Sequence, residues 1–499
     1  MRVTDAAIGD PRTAPVVRDA LAQRLGAAAP FLMEQSPADP DPAYLLDALV
    51  DAVRRGPSAQ RVWLLFVAVT GRFPTSDDAA EAIRRVELES TTDITLWLLD
   101  VALESRHNVV IPVHPMRVVT DTVLADIDHT ARYELHTGIQ QVVRRTVPIW
   151  VRDHDVVPVA WSQGYQALRA LTPAEWRRVE NFTDTLGSAA DPDRADDPIE
   201  LIVPWNCTIA LFEVSPPGTP DRLAALAQYS GSELVVVGHD CIPVVSGDLV
   251  PLSDHFPHFL SAVKYARRIA GVSVSATAEF RGFADTLATQ GLPAPQVNEC
   301  QLATEPLPAD RSAGASGPRA LPLVLSVGSF EPRKNGLAVL HCAERLWRDG
   351  LRFELRFIGG SGWGTRFPAE LAALQAKGRA VSAQQGVDEA TLAQAYRTAR
   401  FTVFASLHEG YGLPAAESLA AGTPVLTSNF GSTLETAQPG GAVTVDPRDD
   451  DAITEAMRRL LTDDALIGRL RAEIARRPVR TWADYARELW ATLIVPDGR

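Results

Sequence analysis

Lysine is scarce in this chain of 499 residues. Of its 48 lysines and arginines, only three are lysines, namely Lys264, Lys334 and Lys377. Aspartate and glutamate number 62, so the formal net charge is −14 at pH 7. Nucleic-acid binding depends on clustered cations that neutralise phosphates, and this balance argues against nucleic acid as the main partner. Against such a background, the lysine that follows Arg333 stands out as a compact ammonium beside a guanidinium fork.

Cysteine and long apolar runs are also scarce. The cysteines form no CxxC pair and lie far apart, at Cys207, Cys241, Cys300 and Cys342. Their spacing predicts buried free thiols in a reducing compartment, not a disulfide framework or a zinc site. The N-terminus lacks the apolar core of a signal peptide, and the most apolar early run, 62–70, is too short to span a bilayer. We therefore expect a cytoplasmic location, with the inner face of the membrane as a second candidate.

Residues 1–115 are expected to form a helical N-terminal extension. The first 40 residues are rich in Ala, Pro and Asp, which favours partial disorder. From 44 to 105, apolar residues recur at helical spacing. This stretch has no lysine and no evident basic face for a membrane. Its aromatic residues are more typical of packing, but the extension is the candidate contact for a peripheral membrane or protein partner.

A first α/β unit is expected at 116–303. A loop at 125–137 leads into a helix that starts at Gly138, and residues 164–200 resemble an irregular insertion. Buried strands are predicted at 156–161, 200–204, 233–238 and 269–275. A stretch rich in Pro, Ala, Gly and Ser at 304–320 predicts a linker.

A second α/β unit is expected at 321–478. Its strands are predicted at 323–328, 353–358, 401–405, 425–428 and 442–445. Strands that alternate with helices in this way indicate a doubly wound parallel sheet. Two such sheets joined by one linker form a cleft between domains. Residues 479–499 contain an amphipathic helix that we expect to pack back across the hinge.

The turn that follows the predicted strand at 401–405 carries the most chemical information. Gly410 and Gly412 allow the backbone to approach a ligand closely. Pro414 suits the start of a short helix that Gly422 ends, and the start of a helix presents free N–H groups and a positive dipole end to an anion. The turn therefore predicts an anion-binding site.

Two carboxylates flank this turn. Glu409 lies in the predicted loop and Glu417 in the first helical turn, with seven residues between them. Carboxylates accept hydrogen bonds well from sugar hydroxyls. Either glutamate alone is more typical of a helix-dipole partner or a solvated acid. Combined with the anion-binding turn, the pair indicates a site for a nucleotide-sugar.

A basic motif in the same unit supports this interpretation. Arg333 and Lys334 follow the first predicted strand, in the run Gly328-Ser-Phe-Glu-Pro-Arg-Lys-Asn335. They are expected at the carboxyl edge of the sheet whose later edge carries the two glutamates. Such cations neutralise a diphosphate, and most strongly when negative charge grows on a departing nucleotide. A cation pair in a loop is otherwise more often a solvated surface.

Two positions of the first unit are further candidates. Gly138 opens a helix after Thr137, which fits an anion cradle or an ordinary capped helix start. His239 follows the predicted strand 233–238, at the end where open α/β sheets bind ligands, with a structural histidine as the alternative.

A metal site is not expected. The triplet Asp126-Ile-Asp128 is typical of metal-dependent transferases of another fold, but it lies outside the motifs described above. His255 and His258 share a face only if their segment is helical, and no third ligand is evident.

These motifs together resemble glycosyltransferase family 4, whose members are retaining enzymes that use nucleotide-sugars and adopt the GT-B fold. The resemblance covers about Val118 to Leu493, and residues 1–115 lie outside it. The matching segments are Gly138-Ile, His239-Asp-Cys-Ile-Pro, Glu331-Pro-Arg-Lys-Asn335, Gly359-Gly-Ser-Gly-Trp363, the segment from Glu409 to Glu417, and Asp446-Pro447. The implied fold is α/β, with two Rossmann-like doubly wound domains facing a central cleft and an extra helical N-terminal region.

The resemblance also implies residue roles. Glu417 would hold the ribose hydroxyls of the nucleotide, and Glu409 the transferred sugar. Arg333 and Lys334 would clamp the diphosphate as catalytic groups. The remaining implied site residues are His239 beside the reacting sugar, Gly138 as a close-approach point, and the donor-binding residues Gly328, Gly412 and Leu413. Ser329 departs from the family pattern, in which many members carry an arginine, and Arg333 is the candidate substitute.

The implied activity is the retaining, metal-independent transfer of a hexose, mannose-like or rhamnose-like, in cell-surface polysaccharide synthesis. The donor would be a nucleotide-diphosphate sugar acting as co-substrate, with no further cofactor, and the acceptor a glycan or lipid-linked glycan. The acceptor hydroxyl would attack from the leaving-group side while a phosphate oxygen takes its proton. A non-catalytic GT-B scaffold or partner subunit and a nucleotide-sugar epimerase of the same fold are the alternatives.

Overall fold

The computed structural model describes residues 13–35, 41–104, 114–135, 137–182, 199–251, 253–305, 321–363 and 365–495. The strands are β1 Met116–Thr120, β2 Val123–Asp126, β3 Val156–Trp161, β4 Leu168–Ala170, β5 Leu201–Trp205, β6 Thr208–Leu211, β7 Glu233–Gly238, β8 Ala266–Gly271, β9 Gln296–Glu299, β10 Leu323–Val327, β11 Glu354–Ile358, β12 Val381–Gln384, β13 Phe401–Phe404, β14 Val425–Ser428 and β15 Ala442–Val445. They form two sheets of nine and six strands.

Helices surround both sheets. They are α1 Thr13–Leu32, α2 Pro42–Arg55, α3 Ala59–Thr70, α4 Ser76–Leu88, α5 Thr91–Glu104, α6 Asp128–Arg132, α7 Gly138–Asp153, α8 Pro173–Glu180, α9 Pro220–Tyr229, α10 Ile242–Val245, α11 His255–Val263, α12 Val274–Thr289, α13 Gly336–Arg348, α14 Arg366–Ala376, α15 Glu389–Thr398, α16 Leu413–Ala420, α17 Gly431–Ala437, α18 Asp450–Thr462, α19 Asp464–Ile474 and α20 Trp482–Leu493. Within the described ranges, none of these helices is long and apolar enough to cross a membrane.

The N-terminal sheet has the strand order β1-β5-β4-β3-β2-β6-β7-β8-β9. All neighbours are parallel except β4, which pairs antiparallel with β3 and β5. β2 lies inside the sheet and pairs in parallel with β3 on one side and β6 on the other. The order reverses at β2, so the loops after β2 and β6 border the crevice where open α/β sheets bind ligands.

The C-terminal sheet is parallel throughout, with the order β12-β11-β10-β13-β14-β15. The chain turns to opposite sides at β10, which pairs with both β11 and β13. The carboxyl ends of β10 and β13 therefore adjoin the topological switch point. This arrangement places the loops that follow Val327 and Phe404 side by side, as the strand positions in the sequence predict.

The helical N-terminal region does not have a separate core. Side chains of α1, α2, α3 and α5 share one buried cluster with strands of the N-terminal sheet. Part of residues 1–40 forms α1, in which Leu25 and Leu32 are buried, and the expected partial disorder stays a prediction for the rest. Residues 1–12 and 36–40 lie outside the described residues. Apolar packing against β1 and α3 outweighs the Ala-rich and Pro-containing composition that suggested disorder.

The last helix packs on the N-terminal sheet although it follows the C-terminal one. Tyr485 and Leu489 of α20 are buried in a cluster with α7. Trp150 Nε1 donates to the Ala486 carbonyl oxygen at 2.8 Å, and the rings of Trp150 and Trp490 meet edge to face. The chain therefore crosses back from the second sheet to the first.

Several sequence expectations for the first unit need correction. The predicted loop at 125–137 contains the end of β2 and the helix α6. The segment 164–200 is not irregular at its start, because it forms β4 and α8, and residues 183–198 lie outside the described residues. Strands β2, β4, β6 and β9 of this unit, and β12 of the second unit, were not predicted, since each has at most four residues. The strand predicted at 269–275 is β8 at Ala266–Gly271, because α12 begins at Val274. The predicted linker lies outside the described residues at 306–320 and stays a prediction there.

Candidate functional site

The predicted cation pair and Glu409 meet at the carboxyl edge of the C-terminal sheet. Lys334 Nζ lies 2.6 Å from Glu409 Oε1, and an Arg333 guanidinium nitrogen lies 3.1 Å from Oε2. Both cations come from a short 3-10 turn after β10, while Glu409 belongs to the loop after β13. Ser406 Oγ also donates to Glu409 Oε1, at 2.6 Å. The two motifs of the second unit therefore form one cluster.

The charge state of Glu409 is set by two opposing effects. Burial of the side chain, which is 8% exposed, raises the pKa of Glu409. The positive charges of Lys334 and Arg333 outweigh burial and hold this pKa at about 2. Arg333 also contacts Glu331, at 3.2 Å, so its guanidinium lies between two carboxylates. Glu409 is therefore a fixed anion at neutral pH, and it holds both cations in place.

Gly410 contacts the N-terminal domain, whereas the sequence predicted that it approaches a ligand. A Cβ atom at Gly410 would lie 2.2 Å from the backbone oxygen of His239, in the N-terminal domain. Ser273 Oγ donates to the Gly410 carbonyl oxygen at 2.6 Å, which also joins the two domains. The absent side chain at Gly410 thus permits close contact between domains, not only the approach of a ligand. Gly412 has φ +87° and precedes the first residue of α16, Leu413.

Gly138 faces this helix from the other domain. A Cβ atom at Gly138 would lie 3.0 Å from Leu413 Cδ1, so the starts of α7 and α16 meet across the cleft. The backbone N–H of Thr137 donates to Gln140 Oε1 at 3.1 Å, which stabilises the first turn of α7. Gly138 and Leu413, two predicted donor-site residues, are therefore neighbours in space.

Glu417 lies on the second turn of α16, not the first. Tyr396 OH donates to Glu417 Oε2 at 2.9 Å, and Gln141 Nε2 donates to Oε1 at 3.2 Å from the opposite domain. Burial raises the pKa of Glu417 to about 7, and the neutral donors offset this only in part. The sequence pattern did not identify Tyr396 or Gln141, because neither belongs to a recognisable motif.

His239 lies at the end of β7, as predicted, but its ring is held by the backbone. The ring Nε2 lies 2.8 Å from the Phe212 carbonyl oxygen, the geometry of an N–H donated from the imidazole. Burial lowers the pKa of His239, which favours the neutral imidazole. The neighbouring Asp240 has a raised pKa, chiefly because it is buried.

The Asp126-Ile-Asp128 triplet stabilises the fold locally. Asp126 accepts a hydrogen bond from Trp161 Nε1 at 2.9 Å, and Asp128 pairs with Arg132 at 2.7 Å. Burial and the adjacent Asp128 raise the pKa of Asp126 to about 7. Across the part of the chain that the structure describes, no group of three or more His, Cys, Asp or Glu side chains is arranged to hold a metal ion.

Two Rossmann-like sheets that face each other across a cleft define the GT-B class of fold. Residues 316–477, which include the second sheet, match the model described as glycosyl transferases group 1. These findings support a glycosyltransferase of the GT-B fold. They do not distinguish family 4 within that class.

Sequence relatives agree with this class. The chain is 25% identical over 345 residues to the serotype-specific mannosyltransferase WbdA of Escherichia coli. The aligned region covers 64% of this chain and 39% of WbdA. It is 32% identical over 142 residues to O-antigen chain mannosyltransferase B of Escherichia coli, covering 28% and 37% of the two chains. It is 35% identical over 173 residues to D-inositol 3-phosphate glycosyltransferase of Acidothermus cellulolyticus, covering 32% and 36%. The chain therefore spans well under half the length of these curated relatives.

Solved structures show the same fold at low identity. Sucrose-phosphate synthase from Thermosynechococcus elongatus matches with a TM-score of 0.50 and 18% identity, over 74% of this chain and 97% of that one. The N-terminal domain of Candida albicans trehalose-6-phosphate phosphatase matches with a TM-score of 0.53 and 12% identity, over 75% and 97%. At these identities the likeness concerns the fold alone.

Proposed function

We propose that this protein is a retaining, metal-independent hexosyltransferase of family 4. It moves a mannose-like or rhamnose-like sugar from a nucleotide-diphosphate donor to a glycan or lipid-linked glycan acceptor in cell-surface polysaccharide synthesis. The names of the Escherichia coli relatives, which are mannosyltransferases, support the sugar and the pathway class. The contact between the cation pair and Glu409 carries the proposal.

The donor diphosphate lies, in this proposal, between the cation pair and the start of α16. Lys334 has three N–H donors, and one of them contacts Glu409 at 2.6 Å, so a phosphate oxygen can share the same ammonium. Gly328 has φ +143°, and its missing side chain leaves room beside the stem of Lys334. We assign the backbone N–H groups of Gly412 and Leu413, at the start of α16, to the same anion.

The sugar and the ribose are assigned to the two glutamates. Glu409 is ionised at neutral pH, so it accepts hydrogen bonds from the hydroxyls of the transferred hexose. Glu417 holds the ribose hydroxyls, which would replace the Gln141 donor that reaches it across the cleft. Each carboxylate thereby binds a neutral, hydroxyl-rich part of the donor while the cations bind its charged part.

Catalysis in this proposal depends on charge at the leaving group. Cleavage of the anomeric bond leaves positive charge on the sugar and negative charge on the nucleoside diphosphate. Arg333 and Lys334 are preorganised by Glu409 and stabilise the departing diphosphate. A phosphate oxygen takes the proton of the acceptor hydroxyl, which attacks from the same face. The neutral His239 lies at the edge of the cleft beside the reacting sugar.

A panel of nucleotide-sugars tests donor binding first. A donor that binds only the folded protein raises its melting temperature, and GDP-mannose is the first probe because of the relatives' names. Transfer is then measured with Lys334→Ala and Glu417→Ala, both of which should lose it. The matched controls are Lys377→Ala and Glu370→Ala, which remove exposed side chains of α14 and its C-terminal end. Full transfer by either site variant would reject the proposed site.

The same panel separates the alternative functions. A non-catalytic scaffold would neither hydrolyse nor transfer any sugar, and an epimerase would convert the donor without an acceptor. The cytoplasmic location, and contact of the helical N-terminal region with a membrane or a protein, stay predictions. The packing of α1 to α5 into the core of the N-terminal sheet leaves a smaller surface for such a contact than a free extension would have.

A further inference from the structure

His408, which directly precedes Glu409, links the two domains with its side chain. Its Nδ1 lies 2.8 Å from Ser246 Oγ, and its Nε2 lies 2.6 Å from Glu279 Oε1. Ser246 follows α10 and Glu279 lies on α12, so both partners belong to the N-terminal domain. We call the set Ser246, Glu279 and His408 the histidine bridge.

The histidine bridge is fixed on its N-terminal side. The second oxygen of Glu279 accepts the backbone N–H of Cys241 at 2.6 Å, in the segment that follows β7. Glu279 is 14% exposed and His408 is 23% exposed, so water screens their interaction only in part. A rigid carboxylate therefore determines where the imidazole lies.

Charged groups around the imidazole favour its protonated form. The hydrogen bond with Glu279 raises the pKa of His408, burial opposes this, and the charges of Glu279 and Asp240 add to the increase. Arg333 lowers it. Because the pKa in the folded state is raised, the full ion pair is present at low pH and weakens as pH rises through that pKa.

The same residue is bonded to the cation pair through its backbone. An Arg333 guanidinium nitrogen donates to the His408 carbonyl oxygen at 2.7 Å, and the Leu407 N–H donates to the Arg333 carbonyl oxygen at 2.9 Å. Ser406 Oγ lies 3.1 Å from that carbonyl oxygen as well. The 406–409 segment and Arg333 therefore move as one unit, and the histidine bridge attaches this unit to the other domain.

We propose that His408 is a positioning residue, which sets Arg333 and Glu409 for the donor diphosphate only when the two domains are closed. This role rests on the proposed function, in which the ligand is a nucleotide-diphosphate sugar. Closure brings Ser246 and Glu279 into contact with the imidazole of His408. Because the His408 carbonyl oxygen accepts a hydrogen bond from Arg333, fixing His408 also fixes the Arg333 guanidinium. The donor site is thus completed by the N-terminal domain without a direct contact between Ser246 or Glu279 and the donor.

A second contact between the domains provides the control. Glu435 accepts the backbone N–H groups of Val274 at 2.9 Å and Ser275 at 2.8 Å, at the start of α12. Among the described residues, the Glu435 side chain contacts the start of α12 and neither Arg333 nor Glu409, so Glu435→Gln weakens closure without changing the cation pair. A variant that acts only by weakening closure should behave like Glu435→Gln.

The binding experiment compares wild type, His408→Ala, His408→Gln, Glu279→Gln and Glu435→Gln with GDP-mannose as the calorimetric probe. His408→Ala and Glu279→Gln should raise Kd about tenfold, which corresponds to about 1.4 kcal/mol, and Glu435→Gln less than about threefold. Glutamine at 408 can form both hydrogen bonds without a charge, so His408→Gln should recover part of the affinity. Between pH 6 and pH 8.5 the affinity of wild type should fall relative to that of His408→Gln, a comparison in which the titration of Glu417 cancels because both proteins keep it.

Hydrogen exchange tests the same inference without a donor. His408→Ala should increase exchange in peptides covering 329–335 and 404–412, whereas Glu435→Gln should affect only the start of α12. Equal effects of the two variants in both peptides, or unchanged Kd in His408→Ala, would overturn the positioning role. If wild type binds no nucleotide-sugar, the proposed function fails, and the exchange result still decides whether His408 positions Arg333.

Discussion

Replacement of Lys334 with methionine tests the charge arrangement around Glu409 most directly. Methionine keeps an unbranched apolar stem but removes the ammonium that lies 2.6 Å from Glu409 Oε1. The buried carboxylate then depends on Arg333, at 3.1 Å. Removal of one partner from a buried ion pair costs about 3–5 kcal/mol, because the remaining charge stays desolvated.

The lowered pKa of Glu409 gives a second value for how much its ion pairs stabilise the folded state. Burial alone would raise this pKa above its ordinary value of 4.5, but Lys334 and Arg333 hold it at about 2. A tenfold change in proton affinity corresponds to about 1.36 kcal/mol, so the ionised carboxylate stabilises the folded state by about 3 kcal/mol. Because the pKa is lowered on folding, this contribution is complete above the unfolded pKa and is lost as pH falls from about 4.5 towards 2.

Urea denaturation at pH 7 and pH 4 measures the effect, with Lys377→Met as the control. We expect Lys334→Met to lower the free energy of unfolding by about 3 kcal/mol at pH 7. The deficit should shrink by about 1 kcal/mol at pH 4, where wild type has lost part of the contribution of Glu409. If Lys334→Met is as stable as Lys377→Met at pH 7, or if its deficit is the same at both pH values, the reasoning is refuted.

Two further variants test the neighbouring residues. Burial raises the pKa of Glu417 to about 7, so ionisation of Glu417 weakens the folded state as pH rises from about 4.5 through 7. In urea denaturation, Glu417→Gln should therefore gain about 2 kcal/mol relative to wild type between pH 5.5 and pH 8. Gly410→Ala places a Cβ atom 2.2 Å from the backbone oxygen of His239, so closure should fail and transfer should fall about 100-fold in steady-state kinetics. Gly468→Ala, where a Cβ atom has no neighbour within 4 Å, should keep the wild-type rate.

The sequence predicts the C-terminal half of the site well for a physical reason. Arg333 and Glu409 lie 76 positions apart, yet both lie in the loops that follow neighbouring strands of a parallel sheet, and such strand ends meet at one edge. Hydrophobic runs identify β10 and β13 because both are buried and apolar. Once these two strands are placed, the meeting of the cations and Glu409 follows without knowledge of the rest of the fold.

Contacts between the domains could not be predicted in the same way. Gln141 reaches Glu417, and Glu279 reaches His408, through helical side chains that lie outside the motifs. The relative placement of two separate sheets is not encoded by strand order, so no spacing rule pairs these residues. Gly410 illustrates the result, since its lack of a side chain suggested a ligand but the structure places the His239 backbone beside it.

Donor binding should change the protonation of Glu417 but not that of Glu409. Glu409 is paired with two cations and has a pKa of about 2, so it stays ionised with or without a ligand. Glu417 accepts hydrogen bonds from the neutral donors Tyr396 and Gln141, and burial raises its pKa to about 7. If ribose hydroxyls donate to Glu417 as proposed, they favour its ionised form, because hydrogen bonds to a carboxylate lower its pKa.

Donor binding at pH 7 should therefore release a fraction of a proton from Glu417. Calorimetry in two buffers with different ionisation enthalpies measures this release directly as a difference in the observed heat. Glu417→Gln has no carboxyl proton to lose, so any binding that this variant retains should give the same heat in both buffers. Proton release that persists in Glu417→Gln would place the titrating group elsewhere, and would remove the argument that Glu417 binds the hydroxyls of the donor.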